Sequence, residues 1–294
     1  MKVAIYGQYY QNSTEPIIRD IFVFFNSKNI EIIIESAFLK MLYEKELVKK
    51  EYKTFSSYKE LDKSFDLMLS IGGDGTILRA VTLVRNSGIP ILGINAGRLG
   101  FLASVQKEDI ATFLQMVVDK NYKISKRTLL KVTSLPKNNG LKDFNFAMNE
   151  ISVSRKDTTS MITIETYLDG ELLTSYWADG LIIATPTGST GYSLSCGGPI
   201  LTPEVKGLVI TPIAPHNLNA RPLVIPDNTE IKLRVSGREE QYLVSMDSRI
   251  TSINNETTLT IKKTSFQINM VEIPNETFFK TLRNKLLWGE DKRN

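Results

Sequence analysis

Leu67-Met68-Leu69-Ser70-Ile71-Gly72-Gly73-Asp74-Gly75-Thr76-Ile77-Leu78-Arg79-Ala80-Val81 reads in order as a strand, a glycine turn and the start of a helix. The run Leu67 to Ile71 is nearly all apolar rather than alternating, as for a strand covered on both faces of a parallel sheet. The glycines release the backbone from side-chain constraints, and Leu78, Val81 and Leu83 then recur at helical spacing. Around this stretch the same pattern repeats: apolar runs at Lys2 to Gly7, Ile30 to Glu35, Asp66 to Ile71 and Ile89 to Asn95 precede helical patterns at 15–27, 37–49, 76–86 and 107–119. A βαβα series of this kind predicts an α/β domain with a parallel sheet, whose ligands gather beyond the carboxyl ends of the strands.

Near residue 125 the period changes. Strand-like stretches follow at Met148 to Arg155, Met161 to Leu168, Glu171 to Trp177, Leu181 to Thr185, Leu208 to Ile213, Glu230 to Ser236, Tyr242 to Met246 and Thr258 to Ile273. Asp169-Gly170 between two of them is a hairpin signal, and Ile231-Lys232-Leu233-Arg234-Val235 alternates as in a half-exposed antiparallel sheet. The tail from Asn275 to Leu287 is helical again, with Phe278, Leu282 and Leu286 on one face and Asn275 and Glu276 placed to cap it. The expected organisation is an α/β nucleotide-binding domain over 1–124, an all-β domain over 125–273, and a C-terminal helix over 274–294 that returns to the first domain.

Composition narrows the partners. No segment approaches the ~20 uninterrupted apolar residues that span a bilayer, so no membrane partner is expected. The opening MKVAIYGQYY has no apolar stretch ending in a cleavage site; a cytoplasmic location is expected. The single cysteine, Cys196, excludes an intrachain disulfide and a cysteine metal cage. The net charge of +4 is modest and the lysines are scattered, which argues against nucleic acid and suits an anionic small molecule.

The chemistry concentrates in two blocks. In Gly72-Gly73-Asp74-Gly75-Thr76, glycines allow close approach and the free N–H groups of a helix start favour phosphate oxygens, so Gly72, Gly73 and Thr76 are candidate phosphate contacts. Asp74 is out of place in a simple anion cradle, because it repels a diphosphate unless it accepts a proton or faces a cation. The plain alternative is a turn with an Asp N-cap. Neither G-x-x-x-x-G-K-[ST] nor G-x-G-x-x-G after the first strand is present, so neither a P-loop nor an ordinary dinucleotide fingerprint holds the nucleotide. The second block, Asp179-Gly180 through Thr185-Pro186-Thr187-Gly188-Ser189-Thr190-Gly191-Tyr192-Ser193-Leu194-Ser195, runs a short strand into clustered hydroxyls and glycines with one aromatic ring. That composition fits a polyhydroxylated or phosphorylated ligand, and equally an ordinary polar loop. His216 has no G-x-S-x-G elbow to serve and reads as structural; Cys196 reads as a small buried filler.

Taken together and in order, these blocks resemble the NAD kinase family. The resemblance rests on GGDGT at 72–76, Gly93-Ile94-Asn95-Ala96-Gly97-Arg98-Leu99-Gly100-Phe101, Asn149-Glu150, the Asp179 to Ser195 block, and Pro215-His216-Asn217-Leu218-Asn219-Ala220-Arg221-Pro222-Leu223. It extends from about residue 66 to 223, and Leu282 to Gly289 resembles the family's closing helix. GGDGT alone is shared with lipid kinases; the five motifs together point to NAD kinase. The resemblance implies transfer of a phosphoryl group from ATP, with Mg²⁺ carried on its phosphates, to the 2′-hydroxyl of the adenosine ribose of NAD. It implies Asp74 as proton acceptor, with Gly75 and Arg79 at the nucleotide; the plain alternative for Arg79 is a solvated helix cation. Asn149 and Glu150 match the pair that grips the ribose, Asp179 a dinucleotide contact, and Thr190, Gly191, Tyr192, Ser193, Leu194 and Ser195 the segment around the adenosine half. Phe101 and Ala214 match positions at the base, a core aromatic being the alternative for Phe101. Gly191 stands where Ala is frequent in the family and is expected to loosen its loop. Trp177 stands where some members have Arg, which bears on 2′-phosphate binding. A homo-oligomer, tetramer or dimer, is implied as well. A lipid kinase and a non-catalytic NAD(P)-binding regulator are the alternatives; Asp74 argues against the second.

Overall fold

The computed structural model describes residues 1–9, 14–97, 100–103, 105, 110–157, 160–274 and 276–288. The chain forms two compact units, one of Met1–Lys126 with Ile268–Asn294 and one of Arg127–Gln267.

In the first unit the expected series is present, with two strands beyond it, β3 and β6: β1 (Lys2–Gly7), α1 (Thr14–Ser27), β2 (Glu31–Glu35), α2 (Ser36–Glu44), β3 (Lys53–Phe55), β4 (Leu67–Gly72), α3 (Asp74–Val84), β5 (Ile91–Asn95), α4 (Ile110–Val118) and β6 (Lys123–Arg127). Residues 107–109 of the fourth expected helix lie outside the described residues. The second helix stops at Glu44 rather than 49: Glu46 adopts φ +55°, and the Leu47 amide turns back to the Leu42 carbonyl at 3.0 Å, a left-handed helix stop. Apolar residues of α1 (Ile17, Ile21, Phe25) and α4 (Phe113, Leu114, Val117) share one core with Val3, Ile5, Leu67, Leu69 and Ile71 of the sheet. Ile77, Ala80 and Val81 of α3 are buried as well.

The second unit consists of β7 (Leu130–Leu135), β8 (Phe146–Ala147), β9 (Glu150–Arg155), β10 (Ile162–Leu168), β11 (Glu171–Ala178), β12 (Gly180–Ala184), the single turn α5 (Tyr192–Ser195), β13 (Gly207–Ile213), β14 (Leu223–Pro226), β15 (Ile231–Ser236), β16 (Gln241–Met246), β17 (Arg249–Asn254) and β18 (Thr258–Lys263). They form two six-stranded sheets, β11-β10-β15-β18-β7-β8 and β14-β13-β12-β9-β16-β17. One core draws on both, with Val132, Ile164, Leu233 and Ile261 from the first and Val153, Ile183, Ile210 and Val244 from the second. Asp169 and Gly170 have φ +48° and +91°, the paired positive values of the hairpin turn their dipeptide signals. Ile231, Leu233 and Val235 are buried while Lys232 and Arg234 face outward.

The chain returns to the first unit earlier than the expected residue 274. The stretch Thr258 to Ile273 is two strands: β18 in the second unit and β19 (Ile268–Glu272), which pairs parallel with β5 through Met270 and Ile91. The first sheet is therefore seven-stranded, β3-β2-β1-β4-β5-β19-β6, and β19 is an interior strand. Helix α6 (Phe278–Leu286) follows, capped by the Thr277 side chain, which accepts from the Lys280 amide; of the two expected caps, Asn275 lies outside the described residues and Glu276 instead pairs with Lys280 at one-turn spacing. The α/β unit with its largely parallel sheet, the antiparallel β unit and the returning final helix agree with the sequence reading.

Candidate active site

The GGDGT turn joins the end of β4 to the start of α3. Gly72 holds φ +153°, and an added Cβ would lie 2.2 Å from Thr76 Oγ1, so this position is restricted to glycine by the fold. Gly73 and Gly75 differ, because a Cβ on either meets nothing within 4 Å; the space above them is open to an approaching ligand. Gly73 is the N-cap of α3 without a side-chain bond, and the Gly73 carbonyl accepts from the Thr76 and Ile77 amides. The amides of Asp74 and Gly75, ahead of the first intrahelical bond, are the ones left for an anion.

The Asp74 side chain does not cap the helix. It reaches across to residues 101–103, where Oδ2 accepts from the Phe101 amide at 2.7 Å and Oδ1 from the Leu102 and Ala103 amides at 3.0 and 3.1 Å. Gly100 makes this approach possible: a Cβ there would lie 1.9 Å from Asp74 Oδ1. Thr76, expected at a phosphate, is fully buried and donates its hydroxyl to Gln8 Oε1 at 3.0 Å; its side chain ties the turn to the end of β1. Arg79 is exposed on α3 a turn beyond Gly75. Phe101 is half-buried, its ring 6.4 Å from that of Phe278 on α6, so its visible role is packing. Arg98 and Leu99 of the second motif, and Gly289 of the tail, lie outside the described residues.

In the second unit, Asn149 and Glu150 form a bend at the start of β9. The bend's backbone polar groups are fully assigned. The Met148 and Asn149 carbonyls accept from the Thr185 hydroxyl and amide, and the Met148, Asn149 and Glu150 amides donate to the Asp247 carboxylate at 3.1, 2.8 and 3.3 Å. Gly188 permits the close packing beneath, since a Cβ there would stand 2.0 Å from the Asn149 carbonyl oxygen. The side chains are a contrast: Asn149 Oδ1 and Glu150 Oε2 are buried and have no hydrogen-bond partner. Leaving such atoms unpaired is costly, which makes these two candidates for contact with a ligand. Burial, with the neighbouring Asp247 charge adding to it, pushes the Glu150 carboxyl up to about 8, against one opposing bond from the Tyr192 amide. Such a shift favours the protonated form of Glu150 near neutral pH, a form able to donate as well as accept.

The 185–195 block divides by burial. Ser193 is fully buried and shares a hydrogen bond with Thr211 Oγ1 at 2.8 Å; the Thr190 hydroxyl donates to the Thr187 carbonyl. Tyr192 and Ser195 are exposed, and Gly191 and Leu194 are intermediate. A Cβ at Gly191 would lie 3.0 Å from Glu150 Oε2, so the residue expected to loosen its loop stands directly over Glu150. Asp179 pairs with Arg155 at 3.3 Å, and Ala214 is exposed with φ +42°. The His216 ring lies 4.3 Å from Trp177, and its amide donates to the Trp177 carbonyl, in keeping with a structural role. Cys196 packs on Ile182, Ala184 and Val209. Sequence reasoning quoted Gly100 and Thr185 within their motifs but gave them no role, and it missed Asp247, which stands between two strand-like runs and reads there only as a turn residue.

Among the described residues no three His, Cys, Asp or Glu side chains are grouped to hold a metal ion. No described helix is long and apolar enough to cross a membrane.

Comparison with known proteins gives the family. Residues 3–122 match the ATP-NAD kinase N-terminal domain and 148–273 the ATP-NAD kinase C-terminal domain. The chain is 74% identical to an NAD kinase of Flavobacterium johnsoniae and 72% identical to one of Flavobacterium psychrophilum, each over the full length of both chains. Among solved structures, the yeast NADH kinase complexed with NADH superposes with a TM-score of 0.86 at 23% identity, covering 99% of this chain and 88% of that one. At that identity the likeness concerns the fold. An NAD kinase from Archaeoglobus fulgidus in complex with ATP gives 0.75 at 26% identity over 98% and 99%. With both family domains matched and full-length relatives at such identity, the chain belongs to the ATP-NAD kinase family.

Proposed function

We propose that this enzyme phosphorylates NAD with ATP as donor, at the 2′-hydroxyl of the adenosine ribose, and that Asp74 orients that hydroxyl and accepts its proton. The observation that carries the reading is the Asp74 carboxylate, fixed by three amides beside two glycines whose upper space is open. A carboxylate offers about four acceptor sites; two amides occupy Oδ1 and one occupies Oδ2, so the remaining site is on Oδ2 with its direction set. In the reaction the 2′-oxygen bonds to the γ-phosphorus as the bond to the bridging oxygen breaks. ADP leaves and the hydroxyl proton passes to Asp74. The transition state of such a transfer is loose, so a pre-set orientation counts for more than basicity. The free amides at the start of α3 and the Arg79 cation are suited to phosphate oxygens. Asn149 and Glu150 offer the buried unpaired oxygens for ribose hydroxyls, with Asp179 and the 190–195 segment, Tyr192 exposed within it, along the dinucleotide. A divalent cation such as Mg²⁺, bound to the donor phosphates, would supply charge neutralisation there.

Leu172, Leu223 and Val224, exposed on the outer strands β11 and β14, are the kind of surface a homo-oligomer, dimer or tetramer, covers. A cytoplasmic location suits the lone thiol of Cys196.

Incubation with ATP, Mg²⁺ and NAD followed by chromatography is expected to show NADP. A phosphorylated lipid without NADP would identify a lipid kinase, and NAD binding without turnover a regulator. In the same assay Asp74→Asn is expected to lower the single-turnover rate roughly 10²–10⁴-fold with NAD still bound. Gly100→Ala keeps the carboxylate but drives a methyl into it, and is expected to lower the rate as well. An Asp74→Asn rate within about fivefold of wild type, well short of a general-base contribution, removes the catalytic role.

A further inference from the structure

We propose that Asp247 is a positioning residue for the substrate: its carboxylate, by taking the amides of residues 148–150, sets the side chains of Asn149 and Glu150 in their ligand-ready orientation. The inference rests on the reading of Asn149 and Glu150 as dinucleotide contacts.

Asp247 follows β16 at the turn into β17, with φ +52° and a side chain only 3% exposed. Its own amide donates to the Glu150 carbonyl at 3.1 Å, so main chain and side chain grip the same bend from one residue. Three successive amides pointing one way cannot be satisfied by a neighbouring strand, which alternates its acceptors. A single carboxylate meets all three. Thr185 takes the facing carbonyls, and the bend has no backbone group left to compete for the Asn149 and Glu150 side chains. The arrangement costs a buried charge. Burial raises Asp247 above the usual carboxylate range, opposed by the three amides and by Arg249, whose Nη2 lies 3.7 Å from Oδ2. Glu150 has one amide donor against these. The three amides and Arg249 favour the charged form of Asp247, and that charge adds to burial in raising the Glu150 carboxyl, which favours the form that donates to a substrate oxygen.

The groups facing Glu150 are Asp247 at the turn and Tyr192 on α5, with Arg249 on β17 beside Asp247 and with Asp179 and Cys196 near the Tyr192 phenol. The pH dependence of NAD affinity reports on this set, whereas a residue that merely closes a hairpin does not move it. Wild-type affinity is expected to hold to about pH 7 and to fall as the pH rises through about 8, where Glu150 loses its donor proton. Asp247→Asn removes the neighbouring charge: the falling limb is expected to move down by about one pH unit or more. The KM for NAD at pH 7 is expected to rise roughly tenfold, with kcat changed less. Glu150→Gln, which carries a permanent N–H donor, is expected to abolish the limb.

Calorimetric titration of NAD between about pH 6 and 9.5, with steady-state kinetics on the same variants, tests this. Should Asp247→Asn fold poorly, Arg249→Gln keeps Asp247 and its amides while removing the cation, and is expected to move the limb upward. A wild-type limb and KM in Asp247→Asn, or an unmoved limb in Arg249→Gln, overturns the proposal. Unchanged NAD affinity in Glu150→Ala instead overturns the contact reading on which it rests.

Discussion

Two carboxylates of this chain meet opposite environments, and the difference decides their chemistry. Asp74 receives three amide hydrogen bonds on a half-buried helix start, whereas Glu150 is buried with one oxygen unpaired. For Glu150 the consequence extends to stability. Its carboxyl is pushed up to about 8 in the fold from the usual 4.5, so protonation favours the folded state. The penalty is absent below about pH 4.5, grows as the pH rises toward 8 and is constant above that. Glu150→Gln is therefore expected to be more stable than wild type by an amount that increases over this window, reaching on the order of a few kcal/mol. Thermal midpoints of both proteins at about half-unit pH intervals measure it. Midpoint curves that stay parallel from acid to alkaline pH would show that Glu150 is not held neutral. A gain in stability from removing a site group is a common signature of a functional position.

At the scale of elements, the β4–α3 turn separates glycines required by the fold from those free for function. Gly72 is fixed by its backbone angle and by Thr76, while Gly75 is the second residue of α3 and has open space where a side chain would stand. An alanine favours a helix over glycine by about 0.5–1 kcal/mol. Gly75→Ala is thus expected to keep or raise the thermal midpoint by roughly 1–3 °C. Because the methyl enters the space above the amides, the same variant is expected to raise the nucleotide KM about tenfold, a loss of roughly 1.4 kcal/mol of binding. Calorimetric melting and steady-state kinetics on one preparation check both halves; a wild-type KM would show that no ligand approaches Gly75.

On the scale of the whole chain, each unit has its own core, but only one is continuous in sequence. Residues 127–267 close two sheets on one core, and this segment is expected to melt cooperatively when expressed alone. The first unit depends on the end of the chain: β19 lies between β5 and β6 and buries Ile268, Met270 and Val271, with Ile273 just beyond. At ~1.5–3 kcal/mol for each large apolar side chain buried, the four together are comparable to the whole stability of a typical domain, about 5–15 kcal/mol. Removal of residues 268–294 is therefore expected to unfold the first unit while leaving the melting of 127–267 in place, as circular dichroism and a two-transition melt would show. A truncated chain with an intact first transition would mean that β19 is dispensable.

Local chemistry was enough to read the alternation of buried strands and helices, the Asp169-Gly170 hairpin and the GGDGT turn, because each is dictated by residues adjacent in the chain: an unbroken apolar run, a dipeptide that tolerates positive φ, glycines ahead of a helix. The five motifs in order carried the family and its reaction as well. Partners distant in sequence were not readable. Strands β3, β8, β14 and β17 are short or stand at sheet edges, where one-sided burial erases the pattern. The division of Thr258 to Ile273 between two sheets was hidden because periodicity shows that a strand is buried, not which sheet buries it. Asp247 acts on a bend 97 to 99 residues away, Thr76 spends its hydroxyl on Gln8, and burial together with Asp247 raises the Glu150 carboxyl. Desolvation and the pairing of distant polar groups arise when the chain closes on itself, so these properties belong to the tertiary structure alone.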